Sequence, residues 1–426
     1  MPSDRTTVTE LGTGLGMLGL PDVDDAVRSR TPVMHSISPE MWEHLSALRA
    51  GGAYDTEFHA AWANGQAFLA AADGLRGRLP TLVEWKGTGK APGDEVAPID
   101  LRVDHVYLVS CKYLSNILFN ASPWHVFDYL LIGGQSRASR AARDVLGGGD
   151  WYTEVAPEEH QALYEAVRRS LLLGVDGSPE GTGSQMGGPG PVTRSPVQRG
   201  AGRGAAALSL PGFGPLDETG AVGGASATDG AGDTDAVRTR RETGGNRPAP
   251  APASLRSLPA RAVDLTTTQR DLLGQWLRAG WPDDAKDRYV ALSDEVARAS
   301  ARRWEDAIAA VGGAEEAMVW RLLRIGSAPY FVLGSSPARS LRLRIATSWD
   351  WRQQFKLASF SVEAQPGGQP RVGWEAVVRH RVSHELYEVT GHIEVRWSHG
   401  RFGGLPEAKG YLDVPHHVVP GYFSLR

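Results

Sequence analysis

The sequence predicts an α/β (α+β) protein in two parts. The first is an N-terminal core on a central mixed sheet, and the second is a C-terminal part of helices leading into an antiparallel, β-rich region. Three observations predict it. Apolar residues at helical spacing give way to short strand-like runs between residues 54 and 113. A Gly/Pro/Ala-rich stretch without hydrophobic period occupies residues 174–258. Strand patterns then dominate beyond residue 330.

Residues 1–35 are Gly-rich and weakly periodic, and read as a loose arm. The stretch GTGLGMLG at 12–19 has the glycines of a dinucleotide fingerprint but no strand before it, so that reading is set aside. The core is expected over 36–173. Phe58, Trp62, Phe68 and Leu69 recur at helical spacing, with Asp55 and Thr56 as cap candidates and Gly74 and Pro80 closing the helix. Strand-like runs follow at 81–87, 99–103 and 106–113, the last two joined by Asp104 and His105 as a tight hairpin. Helical pattern resumes at 123–132 and 157–173. The stretch 174–258 holds too little apolar surface to offset its ordering entropy and is expected to be a disordered linker. The remainder, 259–426, reads as a recognition or assembly domain. Its helices are expected near 267–278, 284–311 and 314–325, and its strands at 330–334, 341–347, 355–363, 371–381, 387–397 and 411–413. QPGGQP at 365–370 marks a hairpin tip.

The net charge of −4 excludes a protein coated in positive potential, so a nucleic-acid partner must be met by a local patch. Residues 321–401 supply one, with twelve basic side chains against six acidic. One cysteine, Cys111, leaves no disulfide framework and no cysteine zinc cage. No apolar run approaches the ~18 residues of a membrane span. The first residues lack a secretory pattern, so a cytoplasmic location is expected. The basic residues are mostly arginine, and three of the six lysines, Lys86, Lys90 and Lys112, fall within 86–112. Lysine, unlike arginine, shifts its pKa and acts as a compact point charge.

That segment carries the chemistry. On a sheet Glu84 and Lys86 share one face of their strand, and Ser110 and Lys112 share one face of theirs. The hairpin brings Asp100 close to Lys112. Carboxylates suit a hard cation such as Mg²⁺ or Mn²⁺, and a lysine beside them can orient or deprotonate water. Such a cluster fits phosphodiester hydrolysis. Two other E-x-K triplets exist. Glu84-Trp85-Lys86 has Asp73 upstream at a helix end, and Glu407-Ala408-Lys409 sits after Pro406 in an expected loop. GTGK at 87–90 lacks the first glycine and the Ser/Thr of a P-loop.

Pro98-Ile99-Asp100, ten residues, then Ser110-Cys111-Lys112 resembles the PD-(D/E)xK signature of restriction-endonuclease-like nucleases. The resemblance covers residues 54–135. It implies a Mg²⁺- or Mn²⁺-dependent endonuclease acting on DNA, in a restriction or anti-phage setting. Asp100 would be the main metal ligand, Lys112 the catalytic lysine and the Cys111 carbonyl a further ligand. Glu57 or Glu84 would be the upstream acid. The sequence departs from the pattern at Ile99, where proline is common, and at Ser110, which replaces the second acid.

Asn116, Asn120 and Ser122 are candidate phosphate contacts or an ordinary turn. Arg396, Trp397, His399 and Arg401, with Trp349, Trp351 and Arg352, are candidate DNA contacts or core aromatics backed by solvated arginines. The expected partner is DNA, with a second copy of the chain or a partner defence protein also compatible. The rival reading is a non-catalytic nuclease-fold protein that binds DNA or another protein, favoured by Ser110.

Overall fold

A computed structural model describes residues 3–87, 99–113, 117–130, 150–176, 257–313, 315–335 and 341–426. The expected linker falls almost wholly on 177–256, outside the described residues, as do Lys90, Pro98 and Asn116. Where the expectation meets described residues it is too wide. A helix runs on to Asp176, and Leu258 is already buried in the core.

The N-terminal arm is not loose. Helix α1 (Asp4–Gly16) is capped by Ser3, whose hydroxyl accepts from Thr6 N–H. Val8, Leu11 and Leu15 along it are fully buried. Helices α2 (Val23–Ser29) and α3 (Pro39–Gly51) follow, then α4 (Asp55–Ala70), which lies across α1. The glycines that made 1–35 look irregular permit this crossing. A Cβ on Gly16 would stand 2.3 Å from Trp62 O, and one on Gly65 2.1 Å from Thr13 O. Intrinsic helix propensity is outweighed here by close packing of two backbones.

The first sheet has the order β1-β2-β3-β4-β6-β7-β12. Its strands are β1 (Met34–His35), β2 (Val83–Trp85), β3 (Leu101–Val103), β4 (Tyr107–Tyr113), β6 (Tyr330–Ser335), β7 (Leu341–Ile345) and β12 (Tyr422–Ser424). β2, β3 and β4 form the expected antiparallel meander. Asp104 and His105 turn β3 into β4 with φ 49° and 60°. Asp104 is structural: its carboxylate accepts from Thr81 N and Oγ1 and from Leu82 N, and pairs with Arg78. β4 then pairs in parallel with β6, Ser110 against Val332 and Lys112 against Gly334. The mixed sheet therefore draws strands from both expected domains, and the division at 174–258 is not a division of the fold.

The second sheet, order β5-β11-β10-β9-β8, is antiparallel throughout. It comprises β5 (Ile117–Ala121), β8 (Phe355–Gln365), β9 (Arg371–His380), β10 (Leu386–Trp397) and β11 (Pro406–Leu412). β5 comes from the N-terminal half, where the sequence suggested a turn. The helices α5 (Trp151–Val155), α6 (Pro157–Asp176), α7 (Thr267–Trp276), α8 (Asp283–Val311), α9 (Glu315–Leu322) and α10 (Ser348–Gln354) complete the chain, with a π-helical turn at His125–Leu130.

Two apolar clusters hold these layers. One lies between α1–α4 and one face of the first sheet, where Leu11, Phe58 and Phe68 meet Val83, Leu101, Val109, Phe331 and Leu333. The larger joins Tyr330, Val332 and Ile345 from the other face to α6, α8 and the second sheet. Among the described residues no helix is long and apolar enough to cross a membrane.

Candidate active site

Strand alternation sets the site. Val109 and Cys111 of β4 face the α1–α4 cluster, which leaves Ser110 and Lys112 on the opposite face. Backbone bonds Asp100 N→Val109 O (2.9 Å) and Lys86 N→Asp100 O (3.0 Å) extend the ladder past β3 and place Asp100 beside Ser110. One Asp100 carboxylate oxygen accepts from Ser110 Oγ at 3.1 Å and from Cys111 N–H at 2.6 Å. Ser110 thus aims Asp100, a role open to a hydroxyl where metal ligation is not its strength.

The third member comes from α1 and was missed by the sequence reading. Glu10 is buried and accepts from Trp85 Nε1 at 2.6 Å. Its carboxyl is pushed up from 4.5 to about 8, first by burial and then by the Asp100 charge, against the pull of Trp85 and Lys112. Lys112 keeps part of its surface exposed, yet burial lowers its pKa. Asp100 opposes that fall and Arg324 adds to it. Glu10, Asp100 and Lys112 therefore sense one another. A signal for Glu10 was present: it is the one charged residue between Arg5 and Asp22, set among the buried Val8, Leu11 and Leu15.

The acids expected upstream go elsewhere. Glu57, in the first turn of α4, accepts from Arg5 Nε at 3.2 Å. Glu84 lies one row along the sheet from Asp100 and turns its oxygens to Lys86 (3.1 Å) and Arg102 (3.9 Å). The Cys111 thiol sits against α1, hydrogen-bonded with Thr13, and burial with the Asp100 and Glu10 charges pushes its pKa well up. Burial there disfavours the thiolate.

Two carboxylates, with the Cys111 carbonyl between Ser110 and Lys112, make a small set of hard oxygen donors, and the mutual repulsion of Glu10 and Asp100 is of the kind a cation relieves. Among the described residues no three His, Cys, Asp or Glu side chains gather as a metal cage.

The expected DNA contacts are dispersed. Asn120 donates to Glu407 Oε2 at 2.9 Å. Ser122 caps the following turn, meeting His125 Nδ1 at 2.7 Å. Arg396 pairs with Glu407 at 3.4 Å and reaches Glu394 at 4.0 Å. Trp397 is buried between Tyr152 and Phe402, and Trp351 is buried as well. Arg401 donates to Leu277 O at 2.7 Å and stacks over Trp281. Trp397 and Trp351 are core residues, and Arg401, in the turn after β10, moors that turn to the backbone at Leu277. Arg352 pairs with Glu316 over the Trp320 ring. His399 is exposed, and Trp349 keeps 69% of its surface exposed. Glu407 and Lys409, the third E-x-K, bond each other at 3.0 Å on a regular strand instead of a loop.

The chain matches no family model, no curated protein and no solved structure.

Proposed function

We propose that the chain is a divalent-metal-dependent DNA nuclease whose site is built from Glu10, Asp100 and Lys112. The observation that supports this reading is Asp100, held by Ser110 Oγ and Cys111 N–H at β4, whose charge raises the Glu10 carboxyl of α1. Asp100, Glu10 and the Cys111 carbonyl would hold Mg²⁺ or Mn²⁺, which when bound polarises the phosphoryl group and stabilises its developing charge. Lys112, whose pKa burial lowers, would orient the attacking water and stabilise the developing negative charge. Ser110 and the Cys111 N–H keep Asp100 in one orientation, so little reorganisation is needed during the reaction. Trp85 does the same for Glu10.

The test is cleavage of duplex DNA by purified protein with Mg²⁺ or Mn²⁺. Asp100→Asn, Lys112→Ala and Glu10→Gln are each expected to lower the rate at least about 100-fold while leaving the fold intact. Glu84→Ala, whose carboxylate serves Lys86 and Arg102, is expected to stay within about tenfold of wild type. Full activity in the first three variants refutes the assignment. Ser110 in place of the motif's second acid favours a second reading, a nuclease-fold protein that binds DNA without cutting it. That reading expects metal-independent binding and no turnover.

A further inference from the structure

One side of the second sheet ends at β8, which runs for eleven residues without a proline. Among the described residues its only strand partner is β9, and no other group is hydrogen-bonded to the backbone of residues 356–364. A long edge of this kind leaves a row of N–H and C=O groups pointing outward, a template for one more strand. The apolar layer also stops short there. Val372, Trp374, Ala376 and Val378 of β9 are buried, whereas their partners Ala364, Val362, Phe360 and Leu357 on β8 are only half-covered.

On the other face the charges are unmatched. Exposed Lys356 lies directly across from exposed Arg379, and neither pairs with a carboxylate among the described residues. Like charges so placed repel. Glu363, exposed near the far end of β8, lies across from Gly373 and has no cation among those residues. Seven residues apart, Lys356 and Glu363 would ordinarily point to opposite faces. A β-bulge prevents that. The register shifts between Leu357 and Ser359, Ala358 is the extra residue, and Lys356, Ser359, Ser361 and Glu363 share one face.

The edge is therefore self-complementary. An antiparallel copy of the strand, centred on Phe360 with Ala358 again the extra residue, sets Lys356 against Glu363, Leu357 against Val362 and Ser359 against Ser361. Each acid then lies beside the Lys356–Arg379 pair that lacks one, and each half-covered apolar residue beside another. We propose that β8 pairs in this register with β8 of a second copy of the chain, joining the two five-stranded sheets edge to edge about a two-fold axis. The pairing does not depend on the nuclease reading.

Sedimentation equilibrium of the full chain, with hydrogen exchange on the same samples, tests it. Wild type is expected to dimerise reversibly, and the amides of residues 355–365 to exchange more slowly as the dimer fills. Lys356→Glu and Glu363→Lys, both at exposed positions, should each weaken the dimer about tenfold, because the two-fold axis repeats the like-charge contact. The double variant should return to within about threefold of wild type. Lys356 and Glu363 of one copy are about 20 Å apart along the strand, so only a contact between copies can give this rescue. A wild type that stays monomeric up to about 100 µM overturns the proposal, whichever other protein or chain segment then covers the edge. So does a dimer that ignores both charge reversals, one that the double variant fails to restore, or one in which exchange over 355–365 is unchanged.

Discussion

Glu10 is where function and stability pull against each other. Its carboxyl is raised to about 8, so the folded protein holds that proton more tightly than the unfolded chain does. A raised pKa gives stability that is complete below the unfolded value of 4.5 and is lost as pH rises through about 8. Metal-free wild type is therefore expected to lose on the order of a few kcal/mol relative to Glu10→Gln between about pH 5 and about pH 9. Chemical denaturation of both proteins across that range checks it, and parallel profiles would show that Glu10 is not the strained group. Mg²⁺ should restore the wild type's deficit and leave Glu10→Gln nearly unmoved. Ser110 is read differently at this scale than by its place in a motif, since its hydroxyl orients an acid and does not replace one.

At the scale of elements, the α1–α4 crossing positions Glu10. Glycines at 16 and 65 let the two backbones come close enough for the Glu10 face of α1 to lie over Trp85. Gly65→Ala improves helix propensity by up to about 1 kcal/mol, yet its methyl would stand 2.1 Å from Thr13 O. The clash should win, with a net loss of ~1–3 kcal/mol in denaturant titration and a fall in cleavage rate as α1 is pushed off the sheet. A stabilised Gly65→Ala protein would mean that the crossing is looser than described. β5 is the other decisive element, because it follows β4 of the first sheet in the chain and pairs in the second sheet against β11.

Across the whole molecule, the two halves of the chain are one folding unit. β4 pairs with β6, and β5 with β11. Arg303 of α8 reaches Asp128 at 2.6 Å and Glu154 at 2.9 Å while lying over Trp124 and Trp151. Asp150 and Arg270 make a buried pair at 2.6 Å. Residues 1–176 and 257–426 expressed as separate chains are therefore expected to co-purify as a complex, and each alone to be insoluble or unfolded. Recovery of residues 1–176 as a folded, cutting monomer would contradict the shared sheet.

Local spacing was enough for the elements and for bringing Asp100 to Ser110. Helical period marked α4 and α8, alternation marked β8, β9 and β10, and the β3–β4 hairpin was legible from two short apolar runs around Asp104 and His105. Asp100, Ser110, Cys111 and Lys112 could be grouped because they lie within one hairpin, where register is a local property. Tertiary structure alone decided the rest. Helix α1 was hidden because its glycines serve a packing contact and lower local propensity. Glu10 lies ninety residues from Asp100, so no periodicity could join them. The same holds for Trp397, whose burial depends on which layer covers its strand face. Local spacing encodes which faces a segment presents, and only long-range packing determines what those faces meet.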